Sequence, residues 1–422
     1  MSDTGQLLDL DRVRQLFDLA SSYHLSAGGT YTDDPYDKWN ALREQAPVHR
    51  GTLHELSGAG DDLVFHGLPY PDRPHFSAFT WAACDGIYRN EAIFSSAPEA
   101  VDLEGGGVSP TNSMLSMGGE EHRRYRALVQ PSFSPAKANW WIENWMEKTV
   151  HTLIDCIEPA GRAELNVEFC AAIPLLTITG SFGVPIEQAL DIRESLSRPD
   201  QMIGIIAPIV AARRERPQDD LISILVESEI TDEEGRTHRL SDLEIYSFAM
   251  LLLAAGSGTT WKQMGITLAA LLQRPHVLEA VRQDRSLLRP AIEESLRWQP
   301  TDPMFSRWVT EDIDYYGVNL PAGSVLHICL GAANHDPGRW ERPDDYDIFR
   351  PLKPTLAFGS GPHVCIGQHV ARAEMTIAIN ALLDRLPNLR LDPDLGPPEF
   401  IGFYERGATA IPVVFGEKEI PA

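Results

Sequence analysis

Phe358-Gly-Ser-Gly-Pro-His-Val-Cys-Ile-Gly367 is the stretch on which the reading of this chain turns. A lone cysteine, Cys365, stands among glycines, with His363 two residues before it. A helical pattern follows directly, from Gln368 to Leu386, and Pro387 stops it. The arrangement suits a thiolate presented to a large planar cofactor. Gly359 and Gly361 carry no side chain, so the backbone can approach a flat surface. Peptide N–H groups around the sulfur can hydrogen-bond it and tune its electron density. The start of the following helix favours the thiolate over the thiol, and Phe358 is placed to shield the sulfur from water. The plain alternative is a buried cysteine at a strand-to-helix turn. Against it stand the six fixed positions of Phe-Gly-x-Gly-x-His-x-Cys-x-Gly.

Working outward, the chain has 422 residues, a length that by itself suggests two or three domains. No internal repeat and no low-complexity linker divides it. Hydrophobic residues make up 43%, ordinary for a soluble globular protein. The net charge of -24 argues against nucleic acid as a partner, because phosphate is repelled. Five scattered cysteines (Cys84, Cys156, Cys170, Cys329 and Cys365) without a C-x-x-C pair suggest reduced thiols in a cytoplasm and no zinc site. No run reaches the roughly 20 apolar residues of a membrane span, and Met1 to Ser22 has no signal-peptide pattern. A monomer without a membrane anchor is expected.

Ser241-Asp-Leu-Glu244 has the form of a capping box. A helical pattern then runs to Gln273, before Pro275. Within it lies Ala254-Ala-Gly-Ser-Gly-Thr-Thr260, whose two glycines each cost about 1 kcal/mol relative to alanine in a helix interior. Close approach of a cofactor, or a kink, is one offset. Tight helix packing is the other. Further on, Pro290 to Pro300 reads as a short helix with Glu294 and Arg297 on one face. Asp34 to Glu44 reads as an early helix, Val48 to His54 and Ala78 to Ala83 as strands, and Gly105 to Asn112 as a loop.

Taken together, these motifs resemble the cytochrome P-450 family of haem-thiolate monooxygenases. The resemblance implies a mainly α fold with minor β (α+β), a single helical prism over residues 34–422 after an N-terminal segment, 1–33. It implies haem b (iron protoporphyrin IX) with the Cys365 thiolate as axial ligand, set in a loop where Phe358, Gly359 and Gly367 border the cofactor. Ala255, Gly256, Thr259 and Thr260 match the oxygen-side motif, but Gly258 stands where relatives carry an acid. Proton delivery is then expected to run through Thr259 and ordered water, helped by Ser257. Glu294 and Arg297 match a buried structural pair, with Arg350 as the third member. His122, Arg126, Arg307 and His363 resemble the clamp for the two haem propionates. Arg123 and Arg124 are expected to face solvent or an acidic redox partner.

The implied reaction inserts one oxygen atom from O2 into a hydrophobic small molecule. Electrons are expected from NAD(P)H through a ferredoxin reductase and a ferredoxin. The pocket is expected from Met114, Leu115, Met117, Leu251, Ala255, Met304, Phe305, Ile401 and Phe403, an apolar set. About 27 residues separate Pro185 from Arg213, which is short for the two lid helices of the family. A more open mouth and compensation by the loop from Gly105 to Met117 are the two readings. The rival functions are a peroxygenase, dehydratase or isomerase, favoured by Gly258, and a non-catalytic haem sensor.

Overall fold

The longest element is a helix of 31 residues, Asp242–Leu272, which at 1.5 Å per residue is about 46 Å long. Both halves of its capping box form: Ser241 Oγ accepts from the Glu244 N–H at 3.3 Å, and Glu244 Oε2 accepts from the Ser241 N–H at 2.8 Å. Its second half, Thr260 to Leu272, is buried on every face. That burial needs partners all round. They include Ala172–Ser181, buried at every residue but Gly180, and Leu288–Trp298. A helix apolar on all sides draws its stability from such packing rather than from an amphipathic stripe.

The computed structural model describes residues 9–17, 32–59, 72–97, 114–196, 198–231 and 235–416. Helices dominate, and the small sheets lie among them. The largest sheet has five strands in the order Val48–Arg50, His75–Ala78, Val325–Ile328, Phe305–Val309, Phe94–Ser95. Only the pairing of His75–Ala78 with Val325–Ile328 is parallel.

Two strand expectations are corrected. The first strand ends at Arg50, because Thr52 caps a short helix, Leu53–Ser57, in a capping box with Glu55. The second lies earlier than expected, at His75–Ala78. Thr80 then caps the helix Trp81–Arg89 by accepting from the Ala83 N–H at 3.4 Å. A threonine after a β run reads equally as strand or cap, and here the cap wins. The expected early helix is Tyr36–Gln45. The expected loop from Gly105 to Asn112 lies outside the described residues.

Val13 and Phe17, from the segment before residue 34, are buried in the main core, and Phe17 meets Trp261 edge-on at 5.0 Å. In the region expected to form the lid stand a six-residue helix, Ala189–Glu194, and a 17-residue helix, Pro199–Glu215. Among the described residues, no helix is long and apolar enough to cross a membrane.

Candidate active site

The cysteine loop is fixed from below. Cys365 N–H donates to the Phe358 carbonyl at 2.8 Å, closing the loop on itself. Phe358 is partly buried against the main core, and the Arg372 guanidinium lies 4.5 Å from its ring. Gly359 and Gly361 adopt φ of 70° and 71°, the left-handed region that favours glycine. A Cβ on Gly361 would come within 2.4 Å of the Tyr88 carbonyl oxygen. The end of the Trp81–Arg89 helix therefore demands its smallness.

Cys365 is exposed, yet burial pushes its thiol up. The sulfur is thus desolvated by the protein around it while part of its surface stays accessible. The start of the following helix favours the thiolate through the Gly367 N–H, without deciding the balance. The Gly367 N–H, Arg126 and Arg372 all favour the anion, but desolvation outweighs them.

The scaffold beneath is an ion network. Arg297 meets Glu294 through two parallel bonds, Nε to Oε2 at 2.9 Å and Nη2 to Oε1 at 2.7 Å. Arg350 Nε reaches Glu294 Oε1 at 2.8 Å. Arg297 also donates to the carbonyls of Asn334, Pro343 and Asp345 at 3.0, 2.6 and 2.9 Å. Asn334 Oδ1 in turn accepts from the Leu356 N–H at 2.9 Å, two residues before Phe358. The surface alternative, Glu293 with Arg297, does not occur, because Glu293 pairs with Arg372 at 2.5 Å.

His122, Arg126, Arg307 and His363 divide into two contacts and two isolated cations. The rings of His122 and His363 stack at 3.8 Å. Arg126 Nη2 donates to the Val364 carbonyl at 2.7 Å, and Arg307 Nη1 to the Ser306 carbonyl at 2.7 Å. Among the described residues, neither arginine has a carboxylate in ion-pair reach, and burial lowers both. His122 is 1% exposed, and its Nδ1 has no hydrogen-bond partner. Burial leaves two cations and an orphaned ring nitrogen at high cost unless anions meet them. Two propionates would do so, and the donor set fits them. Glu91, which the sequence reading missed, accepts from His363 Nε2 at 3.1 Å. Arg123 is held by Glu120 at 2.8 Å on the surface.

Midway along the central helix, Ala254 and Ala255 are exposed while Leu252, Leu253, Ser257 and Thr260 are buried. An open strip midway along the helix, between buried turns, marks a void beside it. Thr259, four residues past Ala255, is on this strip and donates from Oγ1 to the Ala255 carbonyl at 3.1 Å. A Cβ on Gly258 would meet nothing within 4 Å, whereas one on Gly256 would press Ile178 Cγ1 at 3.0 Å. Gly256 is thus a packing glycine, and Gly258 opens on space. Ser257 is fully buried and donates to the Ala254 carbonyl at 3.3 Å.

The expected pocket residues also divide. Ala255 and Phe305 are exposed, Leu251 is partly exposed, and Leu115 is exposed. Met304 and Phe403 are packed into a small cluster with Trp39 and Tyr36, and Met114, Met117 and Ile401 are buried. The reading missed a charged group: Lys262, Glu405 and Asp302. Lys262 and Glu405 form a buried ion pair. A signal was present, since Lys262 is the sole charge between Glu244 and Arg274.

A family model described as cytochrome P450 matches residues 192–399. The chain is 32% identical over 411 residues to a biotin biosynthesis cytochrome P450 of Bacillus subtilis, covering 92% of this chain and 98% of that protein. It is 31% identical over 412 residues to the cytochrome P450 monooxygenase PikC of Streptomyces venezuelae, covering 92% of each. The solved structure of PksS, a bacillaene polyketide synthase cytochrome P450 of Bacillus subtilis, superposes with a TM-score of 0.77 at 26% identity, covering 94% of this chain and 98% of that one. With a helical body, an enclosed cysteine loop and likeness along nearly its whole length, the chain belongs to the cytochrome P450 family of haem-thiolate monooxygenases, whose cofactor is iron protoporphyrin IX.

Proposed function

We propose that this monooxygenase hydroxylates or epoxidises a hydrophobic small molecule, with Cys365 Sγ as the axial ligand of the haem iron. The observation that carries this is the Cys365 sulfur, enclosed by protein yet open on one side, with Gly367 N–H, Arg126 and Arg372 favouring its anion. When bound, the haem supplies the O2 activation and electron transfer that side chains lack. His122, Arg126, Arg307 and His363 hold its propionates, and Phe358, Gly359 and Gly367 border its cysteine side. Ala255 leaves room on the other side. Thr259 Oγ1, now bonded to the Ala255 carbonyl, holds a proton beside the open strip and can accept one from water. Similar solved cytochrome P450 structures in complex with testosterone and with a hexadec-9Z-enoic acid-ligated acyl carrier protein support a hydrophobic substrate.

Electrons arrive from NAD(P)H through a ferredoxin reductase and an acidic ferredoxin. A concavity of about 670 Å³ supports a docking place. Gln368, His369 and Arg372 line it, on the helix that starts three residues past Cys365. The chain works as a monomer in the cytoplasm, where its five unpaired thiols stay reduced.

The test is Cys365→His. The wild type, reduced and exposed to carbon monoxide, gives the red-shifted Soret band of a thiolate-ligated haem. The variant keeps haem and loses that band, and a variant that retained it would sink the assignment. A second reading, use of peroxide in place of O2 and donors, is favoured by the absence of an acid at Gly258. Product from peroxide alone, and none with the redox proteins, would decide for it.

A further inference from the structure

Asp302 lies in the loop that joins Leu288–Trp298 to the strand Phe305–Val309. Its neighbour Thr301 straps this loop down. Thr301 N–H donates to Gln263 Oε1 at 2.9 Å and its hydroxyl to the Arg406 carbonyl at 2.6 Å, while its own carbonyl accepts from the Arg406 N–H at 2.6 Å. Gln263 and Arg406 are the chain neighbours of Lys262 and Glu405. The same straps therefore gather Asp302, Lys262 and Glu405 into one place. Lys262 also lies three residues past Thr259, so the group adjoins the open strip of the central helix.

The charges in this group do not cancel. The Lys262–Glu405 pair is neutral within itself, its side chains 5% and 9% exposed. Asp302 is the surplus. Among the described residues, its carboxylate has neither a hydrogen bond nor an ion pair. Desolvation, with Glu405 adding and Lys262 opposing, pushes its carboxyl up to about 7, yet its surface is partly open. A carboxylate left alone in a low-dielectric space is costly, so Asp302 holds its proton more tightly, and a cation seated beside it stabilises the ionised form instead. A bound cation removes the cost, and an apolar neutral ligand does not.

We propose that Asp302 is a specificity residue that selects substrates carrying a fixed or protonated ammonium group on an otherwise apolar body. The cation rests against the Asp302 carboxylate, and the apolar part lies along Ala255, Leu251 and Phe305. Glu405 does not compete, because Lys262 neutralises it. Anionic substrates are turned away, because they would add a second negative charge beside Asp302. This selection rests on the haem-site reading above and narrows its substrate class.

The experiment uses haem-loaded protein and three probes of equal chain length below their micelle concentrations: dodecyltrimethylammonium, dodecanol and dodecanoate. The quaternary ammonium has no lone pair, so it cannot bind iron through nitrogen. Affinity is read by the Soret spin-state shift and, independently of the haem spectrum, by calorimetry. The wild type is expected to bind the cation roughly tenfold tighter than the alcohol, and dodecanoate weakest. Asp302→Asn brings the cation level with the alcohol, and Asp302→Glu keeps the preference. A wild type that binds all three equally, or binds dodecanoate best, overturns the proposal, as does Asp302→Asn with its preference intact. Should Asp302→Asn not fold, the wild-type series with Asp302→Glu decides alone. Absence of the thiolate Soret band would instead strike the haem reading, and the calorimetric ranking stays readable without it.

Discussion

Gly256 and Gly258 show how two identical residues two positions apart in one helix answer to different forces. At Gly256 an added Cβ would meet Ile178 Cγ1 at 3.0 Å and Cδ1 at 3.3 Å, so the glycine exists to let two helices touch. At Gly258 a Cβ meets nothing, so packing offers no reason for glycine there. Replacing an interior glycine by alanine without steric conflict gains about 1 kcal/mol of helix stability. Gly258→Ala is therefore expected to raise the unfolding free energy by about that amount. Gly256→Val overfills a tight contact and is expected to cost about 1–3 kcal/mol. Urea unfolding of the two variants beside wild type checks both signs. Equal effects would mean that the two glycines share one role. The motif gave no means of telling these glycines apart, because helical spacing does not say which neighbour stands opposite a position.

At the scale of elements, the Glu294–Arg297–Arg350 network ties the helix Leu288–Trp298 to the segment that leads into the cysteine loop. Glu294 is 3% exposed and also accepts from the Asp347 N–H at 3.0 Å, so it serves three donor residues. Removing it strands two buried guanidinium groups, a loss of about 3–5 kcal/mol. Glu294→Ala is expected to express as protein that takes up little haem, read as the ratio of Soret to protein absorbance. A fully loaded variant would show that the loop stands without the network. The five-stranded sheet carries a different liability. His327, 1% exposed in the strand Val325–Ile328, stacks on His75, and burial holds its imidazole down to about 3. Its folded pKa is lowered, so the neutral ring contributes fully above the unfolded value of about 6.5, and that contribution is lost as pH falls through 6.5 towards 3. Between pH 7 and 5 the wild type is expected to lose about 2 kcal/mol more stability than His327→Leu. Parallel denaturant titrations at the two pH values measure the difference, and identical slopes would place a charged His327 in the fold.

For the molecule as a whole, what was legible in the sequence was what local chemistry writes: the Ser241 cap, the glycine-rich loop, the pair Glu294 and Arg297. What was not legible was assembled across the chain. Asp302 meets Lys262 and Glu405 only because Thr301 is bonded to Gln263 and Arg406, and Glu91 meets His363 from 272 residues away. Charge behaves the same way. A net charge of -24 reads as a uniformly acidic surface, yet the concavity beside the helix Gln368–Arg385 is lined by Arg289, Lys353 and Arg372 against Glu293. Arg372 spends its charge on Glu293 at 2.5 Å, which leaves Arg289 and Lys353, both exposed, to set the local sign. On the proposed electron route, an acidic donor is repelled by the acidic surface and attracted to this patch, which would set where it docks as well as how fast. Rim charges act chiefly on the association rate and are screened within about 10 Å at 0.1 M salt. Arg289→Glu with Lys353→Glu is expected to slow reduction by an acidic ferredoxin by about tenfold at low salt, with the gap closing as salt rises. Stopped-flow reduction under carbon monoxide, at two ionic strengths, reads this directly. A double variant reduced at the wild-type rate at low salt would move the docking place elsewhere.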